Sequence, residues 1–192
     1  MSVNDLLIHV GATKEPPKLD VFEEAAKRGT RLHKLIAADT IGDAYDSYDI
    51  PPEDGCILGA AKLWREDEAW DLVGDIHVEK IVYDLDLGLA GTADFMCVNE
   101  MCGIVADMKT SKKASRHHQL QVAAYVLLAS RMGLCPRDAQ RRVVLLRPDG
   151  TYKIAGPAKC YDSDYELQVC ESALGVREPE ILDEWVNRYK KM

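Results

Sequence analysis

The stretch LAGTADFMCV at residues 89–98, followed by CGIVADMK at 102–109, decides the fold. Both segments are short, apolar and β-prone, so each predicts a strand. If Glu100-Met101 is the two-residue loop of a hairpin, Asp94 falls directly across from Asp107, with Cβ atoms roughly 5 Å apart. Lys109 stands two residues beyond Asp107 and points to the same face. The hairpin then delivers two carboxylates and one ammonium to one spot. Carboxylates that close repel each other unless something neutralises them. A divalent cation does so, and oxygen ligands suit Mg²⁺ or Mn²⁺. Lys109 alone would neutralise the pair in part, and two aspartates on neighbouring strands also occur on solvated hairpin faces.

Working outward, residues 76–83 predict a strand before this hairpin. After it, 115–132 predict a helix that is apolar nearly all round and therefore buried, with Gly133 as its cap. Gln121 and Tyr125 stand at i and i+4 on that helix. They need polar partners, either the neighbouring backbone or a site at the sheet edge. Residues 141–147 and 151–155 predict two strands joined by the turn Pro148-Asp149-Gly150. Two helices are expected over 163–174 and 179–190.

Toward the N-terminus, Pro16-Pro17 marks 11–18 as a loop. A helix is expected from Asp20, as N-cap with Glu23 in an acidic capping box, to about residue 38. Phe22, Ala26, Gly29, His33 and Ile36 form one stripe of it. A glycine inside a helix lowers its stability, so Gly29 suggests close approach of another element. His33 on that stripe is either a satisfied core histidine or a ligand, and imidazole suits Mn²⁺ better than Mg²⁺. Residues 39–56 are acidic and read as a long solvated loop, and 60–70 as a second helix. The sum is an α/β domain, a central mixed β-sheet flanked by helices, over 19–192, with 1–18 as an N-terminal extension.

Composition narrows the function. The chain has 192 residues, 47% of them hydrophobic, and a formal net charge of −8. Its mean hydropathy is −0.22. No apolar run has the roughly 18 residues of a membrane span, and no signal peptide is evident; the cytoplasm is the expected compartment, of a bacterium or of a phage-infected host. The negative charge excludes a surface that holds nucleic acid by bulk attraction, though not a local basic groove. Lys112, Lys113, Arg116, His117 and His118 form one basic segment, either a phosphate-binding wall or a solvated loop. Six cysteines lack C-x-x-C spacing, which points to free thiols rather than zinc or iron–sulfur ligation.

The order Arg28-Gly29-Thr30-x-x-His33, Gly91-Thr92-Ala93-Asp94, Asp107-Met108-Lys109-Thr110-Ser111 and Gln121-x-x-x-Tyr125 resembles the PD-(D/E)XK nuclease superfamily. More narrowly it resembles the RecB-like exonuclease branch, including small phage-encoded members, over about residues 19–147. The resemblance implies a restriction-endonuclease-like core and a single nuclease domain over 19–192. It implies that Asp94, Asp107, His33 and the main-chain carbonyl of Met108 bind Mg²⁺ or Mn²⁺. Lys109 would orient or help deprotonate the attacking water, and Gln121 and Tyr125 would support Lys109 and contact the nucleic acid. Thr110, Ser111, Lys112, Lys113 and Arg116 would line the DNA path. Glu79 is a supporting residue or a ligand to a second metal, or simply pairs with Lys80. The four-cysteine cluster of some relatives has no matching spacing here, so no iron–sulfur cluster is expected. The implied activity is DNA hydrolysis by an exonuclease in recombination, repair or phage replication, with DNA and a recombination or replication protein as partners. A structure-specific or nicking endonuclease, or a non-catalytic nucleic-acid-binding module, would share the fold.

Overall fold

In the computed structural model, residues 1–9, 20–43, 50–69, 74–99, 102–155 and 164–174 are described. The elements are α1 (Val3–His9), α2 (Asp20–Ile41), α3 (Pro52–Trp64) running into a π-helical turn (Arg65–Ala69), β1 (Asp75–Asp84), β2 (Leu89–Val98), β3 (Gly103–Lys109), α4 (Arg116–Arg131), β4 (Gln140–Leu146), β5 (Tyr152–Ala155) and α5 (Asp164–Ala173). The strands form one sheet in the order β1-β2-β3-β4-β5. All neighbours are antiparallel except β3 and β4, which run parallel. A parallel pair needs a long crossover, and α4 supplies it. The protein is thus an α/β domain with a mixed sheet between helices. Among the described residues, no helix is long and apolar enough to cross a membrane.

Two cores hold the layers. On one face Val82, Leu89, Met96, Val98, Val105, Val143 and Leu145 pack under α4. On the other, Phe95, Cys97, Ile104, Ala106, Met108, Val144 and Leu146 meet Leu32 and Ile36 of α2 and Ile57 and Trp64 of α3. Trp64 meets Phe95 edge-on at 5.1 Å. The continuous apolar reading of α4 has its reason here, since Val122, Ala123, Ala124, Val126 and Leu128 are all fully buried. Gly133, at φ 71°, ends α4, with its N–H on Ser130 O and that of Leu134 on Ala129 O. This is the Schellman pairing that a left-handed glycine permits.

Several expectations need correction. The boundary at residue 18 does not separate an extension from the domain, because α1 lies in the core. Its Val3, Leu6 and Leu7 are buried with the α4 cluster, Ser2 bridges Ala90 in parallel, and the Ala90 N–H donates to Met1 O. The acidic loop is shorter than 39–56: α2 extends to Ile41, and α3 begins at Pro52 rather than 60. Pro at the first helical position and Glu53 and Asp54 in the first turn are ordinary start signals. Gly29 is not a point of close approach, as a Cβ there would meet nothing within 4 Å. The loop at 11–18, the side chains of the Asp20–Glu23 box, residues 100–101 and the helix expected over 179–190 lie outside the described residues.

Close approach does require a glycine at Gly91, where helices pack on the sheet. A Cβ there would stand 2.7 Å from Tyr125 Cε1 and 2.8 Å from Val3 Cγ2. β2 therefore seats both α4 and α1 at this one position. Gly91→Val should destabilise the fold by roughly 1–3 kcal/mol, the usual scale for overpacking a filled core. Urea denaturation measures it, and an unchanged midpoint would show that Tyr125 and Val3 are not held against β2.

Candidate metal and catalytic site

The hairpin register is the expected one. Phe95 pairs with Ala106, Met96 with Val105, Cys97 with Ile104 and Val98 with Gly103, and the Asn99 N–H donates to Cys102 O at 2.9 Å. The same register carried one step further sets Asp94 across from Asp107, but there the ladder has opened. The N–H of Met108 is taken instead by the Asp94 carboxylate, at 2.6 Å from Oδ2. A side chain thus fills the gap where two backbones have parted.

Simple alternation also fails at this point. Val78 packs toward the α2 core and Val82 toward the α4 core, although they are an even number of residues apart. Between them, Glu79 has φ 48°, the left-handed region that a non-glycine residue rarely occupies. β2 makes the matching change, with Ala93 on the α4 side and Phe95 on the α2 side. Pairs Val78–Phe95 and Lys80–Ala93 flank this place, so Glu79 faces Asp94 across the strands. The expectation that both aspartates project from one flat face is therefore corrected: Asp94 groups with His33 and Glu79, whereas Asp107 stands outside that group and pairs with Lys109. Asp107 shares the parity of the α4-side Val105, while Asp94 turns to His33 on α2.

His33 is the hub on that side. Its Nδ1 lies 3.2 Å from Asp94 Oδ1 and 3.6 Å from Glu79 Oε1, and its Nε2 lies 3.1 Å from Met108 O. Ligand atoms of His33, Glu79 and Asp94 all fall within 4.8 Å of one another, close enough to share a cation. Burial opposes charge on the imidazole, but hydrogen bonds to Asp94 and Glu79 outweigh it and push its pKa up to about 10. Glu79, a marginal candidate by sequence, thus faces the imidazole. The signal that would have found it is the β1–β2 register.

Asp107 is fully buried. Lys109 Nζ donates to its Oδ1 at 2.8 Å, while Oδ2 is buried without a hydrogen-bond partner. Burial raises its pKa above the ordinary carboxylate range; Lys109 opposes this, and Asp94 adds to it. An acceptor oxygen buried without a donor is costly, and a cation is one group that could fill that place. Gln121 and Tyr125 sit on the α4 side, both nearly buried, with the Gln121 amide donating to the Tyr125 hydroxyl at 2.7 Å. Burial first, then Asp107, hold the Tyr125 phenol well above its usual range, so it stays protonated.

The following loop is mixed. Thr110, Ser111, Lys112 and Lys113 are exposed, and Ser111 Oγ donates to Lys113 O. The Arg116 side chain lies outside the described residues. His118 does not belong to a cationic wall. Its Nδ1 accepts the Ser115 N–H at 3.2 Å as part of a capping box, and burial, then His117 and Lys109, lower its pKa to about 3.

No family model matches the chain, and no curated protein matches it. The solved structure described as "Crystal structure of SSO0001" is similar over 93% of this chain and 76% of its own, at 18% identity and a TM-score of 0.34, a likeness too loose to bear on fold or activity.

Proposed function

We propose that the chain is a metal-dependent deoxyribonuclease, an exonuclease acting in DNA recombination, repair or phage replication. The observation that carries this reading is Asp107. Its carboxylate is fully buried, one oxygen lacks a partner, and an ammonium sits on the other. Such an arrangement has no structural advantage over an apolar core, and it fits a cation site. The element order, with antiparallel strands β1 to β3 and a helix crossing to the parallel β4, supports a restriction-endonuclease-like core.

Asp94, Asp107, His33 and the Met108 carbonyl would hold Mn²⁺ or Mg²⁺, with Glu79 beside the imidazole. The imidazole favours Mn²⁺. A cation there would neutralise charge on the phosphate and make a nearby water more acidic. Lys109, held by Asp107, would then orient that water and stabilise the anionic transition state. Tyr125, neutral and bonded to Gln121, would offer a hydroxyl at the same side. The Asp94 carboxylate, fixed by the Met108 N–H, would keep the opened strands at constant separation.

The test is incubation with linear and closed circular DNA in Mn²⁺ or Mg²⁺. The reading expects linear DNA to be degraded, circular DNA to survive, and EDTA to stop the reaction. Nicking of the circle would move the assignment to an endonuclease; no cleavage under any metal would remove it.

A pH dependence follows from the site. A metal ligand must be deprotonated, whereas His33, with its pKa near 10, carries a proton at neutral pH. Asp107, raised by burial, also holds its proton more firmly than an exposed carboxylate. Each bound cation therefore displaces protons, and Mn²⁺ affinity should rise with pH, by about tenfold per unit for one proton displaced. Calorimetry at pH 6, 7 and 8 reads it, and an affinity flat across that range would show that His33 is not a ligand.

A further inference from the structure

We propose that the outward face of α2 is a track for the sugar–phosphate backbone of the DNA strand that enters the His33 site. This deepens the nuclease reading and rests on it. Between Glu24 and Asp39 the sequence carries Lys27, Arg28, Arg31, His33 and Lys34 and not one acidic residue. In a chain of net charge −8 such a segment is a local reversal of sign. Lys27, Arg31 and Lys34 fall at i, i+4 and i+7, so they share one side of the helix, and all three are exposed. Leu32 and Ile36 hold the opposite side in the core.

Two further observations make this more than a solvated charged face. First, Arg28 and Arg31 are held in place by Asp54 of α3. Arg28 Nε donates to its Oδ1 at 2.8 Å and Arg31 Nε to its Oδ2 at 3.1 Å. Burial would raise the Asp54 pKa, but the two guanidiniums outweigh it and lower it, so the carboxylate is ionised. One buried anion thus orders two cations and leaves a net positive charge at the surface. Ordered donors lose less freedom on binding a phosphate than mobile ones. Second, Lys27, Thr30, Arg31, Lys34, Leu35 and Ala38 line a shallow open hollow of about 480 Å³. The hollow is open and its lining mainly apolar, with Lys27, Arg31 and Lys34 supplying its charge, which suits an extended chain lying along the helix better than an enclosed small ligand.

The track is coupled to the site because His33 is on the same helix. From Lys27 to Lys34 the helix rises about 10 Å at 1.5 Å per residue. That matches roughly three nucleotides at 3.4 Å of rise per strand. The loop after β3 offers Lys112 and Lys113 but not the neutral His118, so α2 supplies the larger share of local positive charge among the described residues.

The test uses Lys27→Glu/Lys34→Glu, with Lys27→Gln/Lys34→Gln as the milder pair. Binding of a labelled DNA oligonucleotide is measured by fluorescence anisotropy in EDTA, over a range of salt. Both pairs should bind more weakly, by about tenfold or more for the glutamate pair. The slope of log affinity against log salt should shrink by about 0.7–0.9 for each phosphate no longer neutralised. Unchanged circular dichroism and unchanged Mn²⁺ affinity would locate the effect at the surface. Affinity and slope equal to those of the parent protein would overturn the proposal, as would polyglutamate of matched charge binding as tightly as DNA. Cleavage by the parent protein in Mn²⁺ is read separately. Cleavage with no effect of the lysine pairs sinks the track alone, whereas weakened binding by the pairs without parental cleavage sinks the nuclease reading alone.

Discussion

Asp107→Asn should abolish Mn²⁺ binding and DNA cleavage while leaving the metal-free fold at least as stable as before. The two effects have opposite signs for one reason. Asp107 is buried, with one oxygen unpartnered, and burial disfavours its ionised form. Replacing the carboxylate by a neutral isostere removes that penalty and also the ligand charge. Residues that raise stability when neutralised, on the order of 1 kcal/mol, are characteristic of sites built for function. The loss of the Lys109 ion pair offsets part of the gain, because it leaves a largely buried ammonium without its carboxylate. Calorimetric Mn²⁺ titration, a urea midpoint in EDTA and a cleavage assay together read the prediction. A variant that is inactive but also much less stable would make Asp107 a structural residue.

Lys109→Ala should lower cleavage by roughly 10² or more, the scale of losing a positioned proton-transfer or electrostatic group. Lysine is no metal ligand, so Mn²⁺ should still bind at alkaline pH. Near neutrality the outcome is sharper, because the ammonium helps to keep Asp107 ionised. Without it the Asp107 pKa rises further, and Mn²⁺ affinity should fall off more steeply as pH drops. Lys109→Arg should restore the affinity but not the rate, since a guanidinium stays protonated. Rates at the wild-type level in both variants would return Asp-Met-Lys to an ordinary strand end.

Much of this was legible in the sequence because it depends on local patterns. The strands at 89–98 and 102–109 follow from β-prone composition, and the pairing of Phe95 with Ala106 through Val98 with Gly103 from a two-residue loop, but the opening of the ladder at Asp94 and Asp107 could not be read from spacing. The buried helix after them could be read from apolar residues on every side. What could not be read depends on tertiary packing or backbone irregularity. The seven residues of α1 are too few to be stable alone; Val3, Leu6 and Leu7 are ordered by the groove between β2 and α4. The left-handed Glu79 breaks the period of two on which side-chain placement was based, and no residue type announces it. Gly29 and Gly91 look alike in sequence, yet only Gly91 has neighbours that exclude a Cβ.

The most direct test of the central claim is a crystal structure with Mn²⁺ and a short DNA, with the ion located by its anomalous signal. The account predicts one Mn²⁺ held by His33, Asp94, Asp107 and the Met108 carbonyl, at the opened end of β2 and β3 and against a phosphate. An ion found elsewhere, with the Asp107–Lys109 pair and the Met108 N–H to Asp94 bond standing alone and the DNA away from them, would contradict it.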